Sequence, residues 1–296
     1  MDFIDPYTQQ VLVTIGIAII MALGLTIVTG MTGQLSLGHA AFMSIGAFAS
    51  AIMTIRTGIP FMLNLLLAGA VSAAAAAAVG WPILRLSGDY LAICTLGFAE
   101  IIKVVFLNLD ATNGALGLSV PPPQTSLPLP LIVWLAAALG VTVTLLISRS
   151  PFGRALKAIR DDEIAAESVG INCAAFKITS FAAGAFLAGV GGGLYAHVIS
   201  YINPSDFGFL KSVDMLSMVV LGGLGSVPGA VLGAAVLGAA PELLRFMAQY
   251  RMLVYGLLLV VLMAFRPNGL LGGVDITRLL LRVCGRPPRQ DLGNRP

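Results

Sequence analysis

The sequence predicts an all-α protein, a polytopic transmembrane helical bundle, and three observations predict it. Hydrophobic residues make up 57% of the 296-residue chain and charged residues only 10%, with a mean hydropathy of +0.93. A soluble globular chain carries about 25% charged residues to cover its surface, so the surplus apolar surface here must face lipid. The apolar residues gather into windows of roughly 20, the length that crosses a bilayer as helix. Lys and Arg are sorted between the connecting loops, as they are in polytopic membrane proteins.

Spread over such windows with short loops, the chain accommodates about eight to ten spans, some of them broken or re-entrant. A transmembrane β-barrel would show segments of alternating polarity about ten residues long, and none occur. The 34 glycines suit helices packed closely in lipid.

The windows run over residues 11–30, 39–55, 60–84, 90–109, 129–148, 174–196, 213–224, 227–247 and 252–265. A polar stretch, 32–38, separates the first two. The window at 213 is short and precedes Gly222-Gly-Leu-Gly-Ser-Val-Pro-Gly229, which predicts either a half-helix or part of a broken one. Irregular backbone at membrane depth survives only where protein or a watery cavity surrounds it. The N-terminus has no positive region of the kind that opens a cleaved signal peptide, so the first window is expected to be retained.

Arg266, Arg278, Arg282, Arg286, Arg289 and Arg295 follow the last window, and Arg149, Arg154, Lys157 and Arg160 stand in the middle of the chain. Residues 1–10 and 110–128 carry no Lys or Arg. The positive-inside rule therefore puts the central segment and the C-terminus in the cytoplasm and the 110–128 loop outside. Four crossings between residues 173 and 266 satisfy this. Five windows before residue 149 put the N-terminus outside, unless 31–38 is itself re-entrant. Anionic lipid and the positive-inside rule account for the basic tail, 273–296, without nucleic acid.

The central segment, 149–172, is amphipathic. Ala155, Leu156, Ile159, Ala166 and Val169 form its apolar side, charged residues fill the intervening positions, and Gly170 is a stop signal. Pro151 and the Asp161-Asp162 pair predict a break into two short helices. Such a pair suits docking onto a partner, with Ala165 and Ala166 permitting close approach. An interfacial helix that merely caps the bundle fits the pattern as well.

Inside the windows, polar residues are few. Gln34, Ser36 and His39 stand at the mouth of the second window, where they either line a passage or satisfy freed backbone at a helix start. Glu100 and Lys103, at i and i+3, either pair with each other or serve a pathway. The Pro121-Pro122-Pro123 run predicts a stiff external loop, suited by location to meeting a binding protein. Cys94, Cys173 and Cys284 are scattered, and no metal site is expected. No Gly-x-x-x-x-Gly-Lys-Ser/Thr loop occurs, so the chain does not hold ATP phosphates in that manner. Gly189-Val-Gly-Gly-Gly193 lies in an apolar helix and predicts close helix packing. A membrane-embedded enzyme would need clustered polar catalytic groups, and the chain has only two histidines.

The segment Glu163-Ile-Ala-Ala-Glu167-Ser-Val-Gly170 resembles, loosely, the cytoplasmic loop by which permeases of ABC importers dock on their ATPases. A closer likeness runs through nearly the whole chain. Gly30-Met-Thr-Gly-Gln-Leu-Ser-Leu-Gly-His-Ala-Ala-Phe-Met-Ser-Ile-Gly46 is similar to the second-span signature of the branched-chain amino acid ABC importer permeases, in particular the M-type subunit. Gly88-Asp-Tyr-Leu-Ala-Ile-Cys-Thr-Leu-Gly-Phe-Ala-Glu100, Pro151-Phe-Gly-Arg-Ala-Leu-Lys-Ala-Ile-Arg-Asp-Asp-Glu163, the glycine-rich turn at 222–229 and Arg266-Pro-Asn-Gly-Leu-Leu-Gly272 match in order. Asn113-Gly-Ala-Leu-Gly117 departs from the family's more frequent Thr-Gly-Gly.

The resemblance implies a single permease domain over 1–296, multi-pass in a bacterial inner membrane, with 149–172 as its coupling segment. ATPase coupling would fall to Arg154, Lys157, Arg160, Glu163, Ala165, Ala166, Glu167 and Gly170. The translocation pathway would include Gln34, Ser36, His39, Thr95 and Glu100. No catalytic residue and no cofactor is expected on this chain, ATP and Mg²⁺ belonging to partner subunits. The implied partners are a homologous second permease, two ATP-binding subunits, an external substrate-binding protein and membrane lipid. Transport would proceed by alternating access. Urea or another small polar solute is the alternative cargo, and an ion-coupled secondary transporter using Glu100 is the alternative class.

Overall fold

The computed structural model describes residues 5–86, 88–123, 125, 127–243, 256 and 269–270. Helix α1, Pro6–Leu25, continues through a π-helical turn, Thr26–Met31. It is followed by α2 (His39–Thr57), α3 (Phe61–Ile83), α4 (Asp89–Asn108) and α5 (Leu129–Arg149). Two short helices, α6 (Pro151–Asp161) and α7 (Glu163–Ser168), precede α8 (Cys173–Ile199), α9 (Phe209–Gly222) and α10 (Val227–Leu243). The all-α class is as expected, apart from one small antiparallel pair, β1 (Leu118–Ser119) with β2 (Tyr201–Ile202).

Among the described residues, six helices are long and apolar enough to cross a membrane: Tyr7–Met31, His39–Thr57, Phe61–Ile83, Asp89–Asn108, Leu129–Arg149 and Cys173–Ile199. They correspond to the first six windows. The 213 window is the 14-residue α9, too short for a full span as anticipated, and α10 contributes the shorter apolar stretch Val227–Ala240. The window at 252–265 and the basic tail at 273–296 lie outside the described residues.

Helix α1 is the centre. It packs against α5, α8, α9 and α10, and Ile20, Met21, Ala22, Leu23 and Leu25 are all buried. A helix apolar on every side belongs in such a position. Around it, α3, α4 and α5 turn apolar residues outward, among them Leu66, Ile93, Ile101, Leu135 and Leu139, which suits contact with lipid.

Pairwise contacts fix the direction of each helix. Gly46 meets Gly189 and Thr54 meets His197, so α2 runs parallel to α8. The backbones touch at Gly46, where a Cβ would fall on the Gly189 backbone, the close approach that small residues permit. Phe42–Phe98 and Phe48–Phe106 ring contacts set α4 parallel to α2. Phe61–His197 and Ser72–Gly189 set α3 antiparallel to α8, and Met21–Gly191 with Val28–Gly184 do the same for α1. The helices α1, α3, α5 and α9 therefore run toward the face that carries α6 and α7, while α2, α4, α8 and α10 run away from it. The start of α1 lies at the opposite face, on the same side as the 109–128 loop. Leu270 donates its backbone N–H to the Leu221 carbonyl at 2.8 Å, beside the end of α9 at the α6 face.

At the opposite face the Asn113–Gly117 loop is tied down from the linker after α8. Tyr201 donates its hydroxyl to the Leu116 carbonyl at 2.8 Å, and Asn203 its amide to the Ala115 carbonyl at 2.9 Å. Pro121, Pro122 and Pro123 border a groove with Thr54, Gly58, Ile59 and Phe61 at the ends of α2 and α3.

Candidate translocation pathway and coupling surface

The polar stretch 32–38 does not stay at the α6 face. Gly33 lies against the Arg160 side chain of α6, yet His39 already packs beside Gly24 of α1. The seven residues between Gly24 and Met31 span about 10 Å of helix, so α2 begins well inside the bundle. The chain re-enters as non-helical backbone without changing the number of crossings.

Such backbone needs partners inside the protein, and side chains provide them. Leu37 N–H donates to Thr95 Oγ1 on α4 at 3.0 Å, Gly38 N–H to Ser36 Oγ at 3.4 Å, and Ala40 N–H to Ser212 Oγ on α9 at 3.2 Å. The Ala40 N–H is one of the orphan donors of the α2 N-terminus, and the other two belong to the non-helical stretch before it. They join the stretch to α4 and α9 at one depth.

Of the pathway residues expected from sequence, Gln34, Ser36, His39 and Thr95 are brought together here, all buried. The ring of His39 hydrogen-bonds the backbone of Met21. Gln34 is 7% exposed, and neither its amide oxygen nor its amide nitrogen has a partner among the described residues. The same holds for Thr29 Oγ1, in the π-helical turn, and His39 Nε2. Burying a polar group without a partner costs about 1–3 kcal/mol, and Ser50 Oγ and Asn64 Oδ1 are also without partners among the described residues. The set is uncharged and can hydrogen-bond a polar solute without acid–base chemistry.

Glu100 is not part of this group. It lies more than one turn beyond Thr95 on α4, is paired with Lys103 at 3.2 Å, and keeps 41% of its side chain exposed. Sequence reasoning also passed over Lys211 and Asp214, which flank Ser212 on α9 and so lie near the depth of its bond to Ala40. Lys211 Nζ sits 5.3 Å from the ring centroid of Tyr195.

At the α6 face the break falls at Asp162. Ser150 caps α6 by accepting from Gly153 N–H at 3.2 Å, with Pro151 in the first turn. Asp162 caps α7 by accepting from the Ile164 and Ala165 N–H groups at 2.9 and 3.0 Å. Gly170 then takes a φ of +87°, the left-handed conformation that glycine adopts readily at a helix end.

Among the expected coupling residues, Arg154, Lys157, Arg160, Ala165, Glu167 and Gly170 are exposed and Glu163 is half-buried. Two of them also bond to the bundle: Arg160 Nη1 donates to the Gly30 carbonyl at 2.7 Å, and Glu163 Oε1 meets Lys177 Nζ of α8 at 2.5 Å. Ala166 is buried with Ile159 and Cys173, so of the two alanines only Ala165 offers surface. Val169 does not join the buried stripe, because the break at Asp162 resets the helical phase. Val169 is 77% exposed and Ile164 83% exposed, and these two apolar side chains stand out on α7. Ligand atoms of Glu163, Glu167 and Cys173 come within 4.8 Å of one another, but Glu163 is already engaged by Lys177.

Comparison with known proteins agrees with this architecture. Residues 7–263 match the family model described as the branched-chain amino acid transport system / permease component. The high-affinity branched-chain amino acid transport system permease protein LivM of Salmonella typhimurium is 39% identical over 86% of this chain and 68% of its own length. BraD of Pseudomonas aeruginosa, a permease protein of the same description, is 31% identical over 92% of this chain and 98% of its own. The Salmonella typhimurium permease LivH is 27% identical over 88% and 92%. No solved structure matches the chain. With the family model spanning nearly all of the described bundle, the chain is a multi-pass membrane protein that belongs to the family of branched-chain amino acid transport system permease components.

Proposed function

We propose that this chain is one of two membrane-spanning subunits of an ATP-driven importer and passes branched-chain amino acids across a bacterial inner membrane. The observation that carries the proposal is the match, along nearly the whole chain, to permeases named for high-affinity branched-chain amino acid transport. Its likeness to both LivM and LivH supports pairing with a homologous second permease.

The α6–α7 segment supports docking of ATPase subunits at the cytoplasmic face. Exposed Ile164 and Val169 offer an apolar contact, and Arg154, Lys157 and Glu167 a polar rim around it, the arrangement found at protein interfaces. ATP and Mg²⁺ would be bound by those ATPases. The opposite face, with the 109–128 loop, would receive a substrate-binding protein. Transport would proceed by alternating access, with Gln34, Ser36, His39 and Thr95 meeting the polar end of the substrate at membrane depth.

The test is uptake of radiolabelled leucine into proteoliposomes that hold the complete assembly. Uptake that requires ATP and the binding protein, and is competed by isoleucine and valine but not urea, is the expected result. Competition by urea alone would reassign the cargo. Uptake by the chain without ATPases, driven by an ion gradient, would overturn the importer class.

A further inference from the structure

Arg160 belongs to the coupling segment and is exposed like Arg154 and Lys157, but the end of its side chain turns back onto the bundle. Its guanidinium donates to the Gly30 carbonyl at 2.7 Å across a sequence separation of 130 residues. Gly30 lies in the π-helical turn that ends α1, and the last carbonyls of a helix have no partner within it. A cation there also meets the negative end of the helix dipole.

Three glycines from three segments make room for this side chain. A Cβ at Gly33 would fall 2.8 Å from Arg160 Cγ, and one at Gly225 would fall 2.6 Å from Arg160 Nη1. A Cβ at Gly30 would fall 2.8 Å from Gly225 N, so the three pack on one another as well. Gly33 and Gly225 hold φ values of +71° and +84°, which L side chains rarely adopt. Gly33 opens the buried polar stretch 32–38, and Gly225 lies in the turn between α9 and α10. One side chain of α6 thus touches the end of α1, the start of the pathway stretch and the α9–α10 turn.

We infer that Arg160, seated among Gly30, Gly33 and Gly225, is the positioning residue that carries displacement of the coupling segment to the pathway stretch and to α9–α10. The inference rests on the importer reading above. Displacing α6 pulls on the Gly30 carbonyl or breaks the bond to it, because the guanidinium fork is rigid and the side chain packs directly on Gly33 and Gly225. A lysine keeps the charge but not the fork.

The experiment measures leucine uptake per ATP hydrolysed in proteoliposomes holding the whole assembly. R160A is expected to lower that ratio at least tenfold, and R160K about threefold, while Arg85→Ala, at an exposed position just after α3 and outside the coupling segment, stays within twofold of the wild type. Gly33→Ala is expected to lower the ratio at least fivefold when Arg160 is present and to add less than twofold to R160A. If R160A fails to assemble, R160K and Gly33→Ala carry the reading. A wild-type ratio in R160K and R160A, or parallel loss of ATPase and uptake in both, would overturn the assignment. Equal effects of Gly33→Ala in both backgrounds would do so too. A wild-type assembly without ATP-driven uptake would instead overturn the importer reading itself.

Discussion

Glu163 and Lys177 meet at 2.5 Å and join α7 to the first turns of α8. Lys177 is 6% exposed, and an ammonium at the entry to a span is costly unless an anion answers it. The pair is one of the polar ties that hold the coupling segment to the bundle. Another is the Arg160–Gly30 bond, on the far side of the break at Asp162. Between them the segment is gripped from α1 and from α8, while Arg154 and Lys157 stay exposed.

Breaking the ion pair from one side leaves the buried partner unanswered. Glu163→Gln is expected to destabilise the purified chain by about 1–3 kcal/mol, because the charge of Lys177 then lacks its counter-ion. Adding Lys177→Met removes the orphan and is expected to recover at least half of that loss. Thermal unfolding of the two variants in detergent checks this. A single variant as stable as the parent, or a double variant worse than the single, would show that the pair contributes nothing.

Ile164, on the six-residue helix α7, and Val169, which caps its C-terminal end, are exposed apolar residues, with Ala166 beneath them in the bundle. Ile164→Asp and Val169→Asp are expected to leave folding of the chain intact and to lower recovery of the ATPases with it at least tenfold on co-purification. Leu156→Asp, at a buried position of α6, is expected to unfold the segment instead. ATPase recovery unaffected by both surface variants would remove α7 from the docking surface.

The α2–α8 crossing depends on two facing glycines. Gly46→Ala places a methyl on the Gly189 backbone, which cannot move aside as a side chain can. Overpacking of this kind costs about 1–3 kcal/mol. Loss of thermal stability of that order is expected, and Gly97→Ala, where a Cβ meets open space, serves as the neutral comparison. Equal effects at both positions would remove close packing as the explanation.

Much of the fold was legible because each span is a long apolar run, which needs no knowledge of its neighbours. The two coupling helices were legible as well: Pro151, the Asp161-Asp162 pair and Gly170 act locally, through cap and turn geometry. The direction of Arg160 was not legible, since a charge on an amphipathic helix suits a solvated face equally well. Gly30, Gly33 and Gly225 explain it only once the chain has folded. Val169 was placed on the buried stripe because one helical phase was carried across the break at Asp162. The burial of Lys177 did leave a signal, a lone cation within an apolar window, but its partner lies 14 residues earlier in a different helix. The gathering of Gln34, Ser36 and His39 was visible as a polar interruption. Their depth was not, because it follows from α1 extending past Gly24 to Met31 before the chain turns back.

That depth is where the account is most exposed to measurement. In an assembly whose native cysteines are replaced, a cysteine at Gln34 can be tested for reaction with a small water-soluble thiol reagent through the ATP cycle. The account predicts little labelling at rest, labelling at least tenfold faster during ATP turnover, and protection by leucine. A cysteine that stays silent in every state, or reacts at one rate with or without ATP and leucine, would contradict the claim that this buried stretch lines the passage.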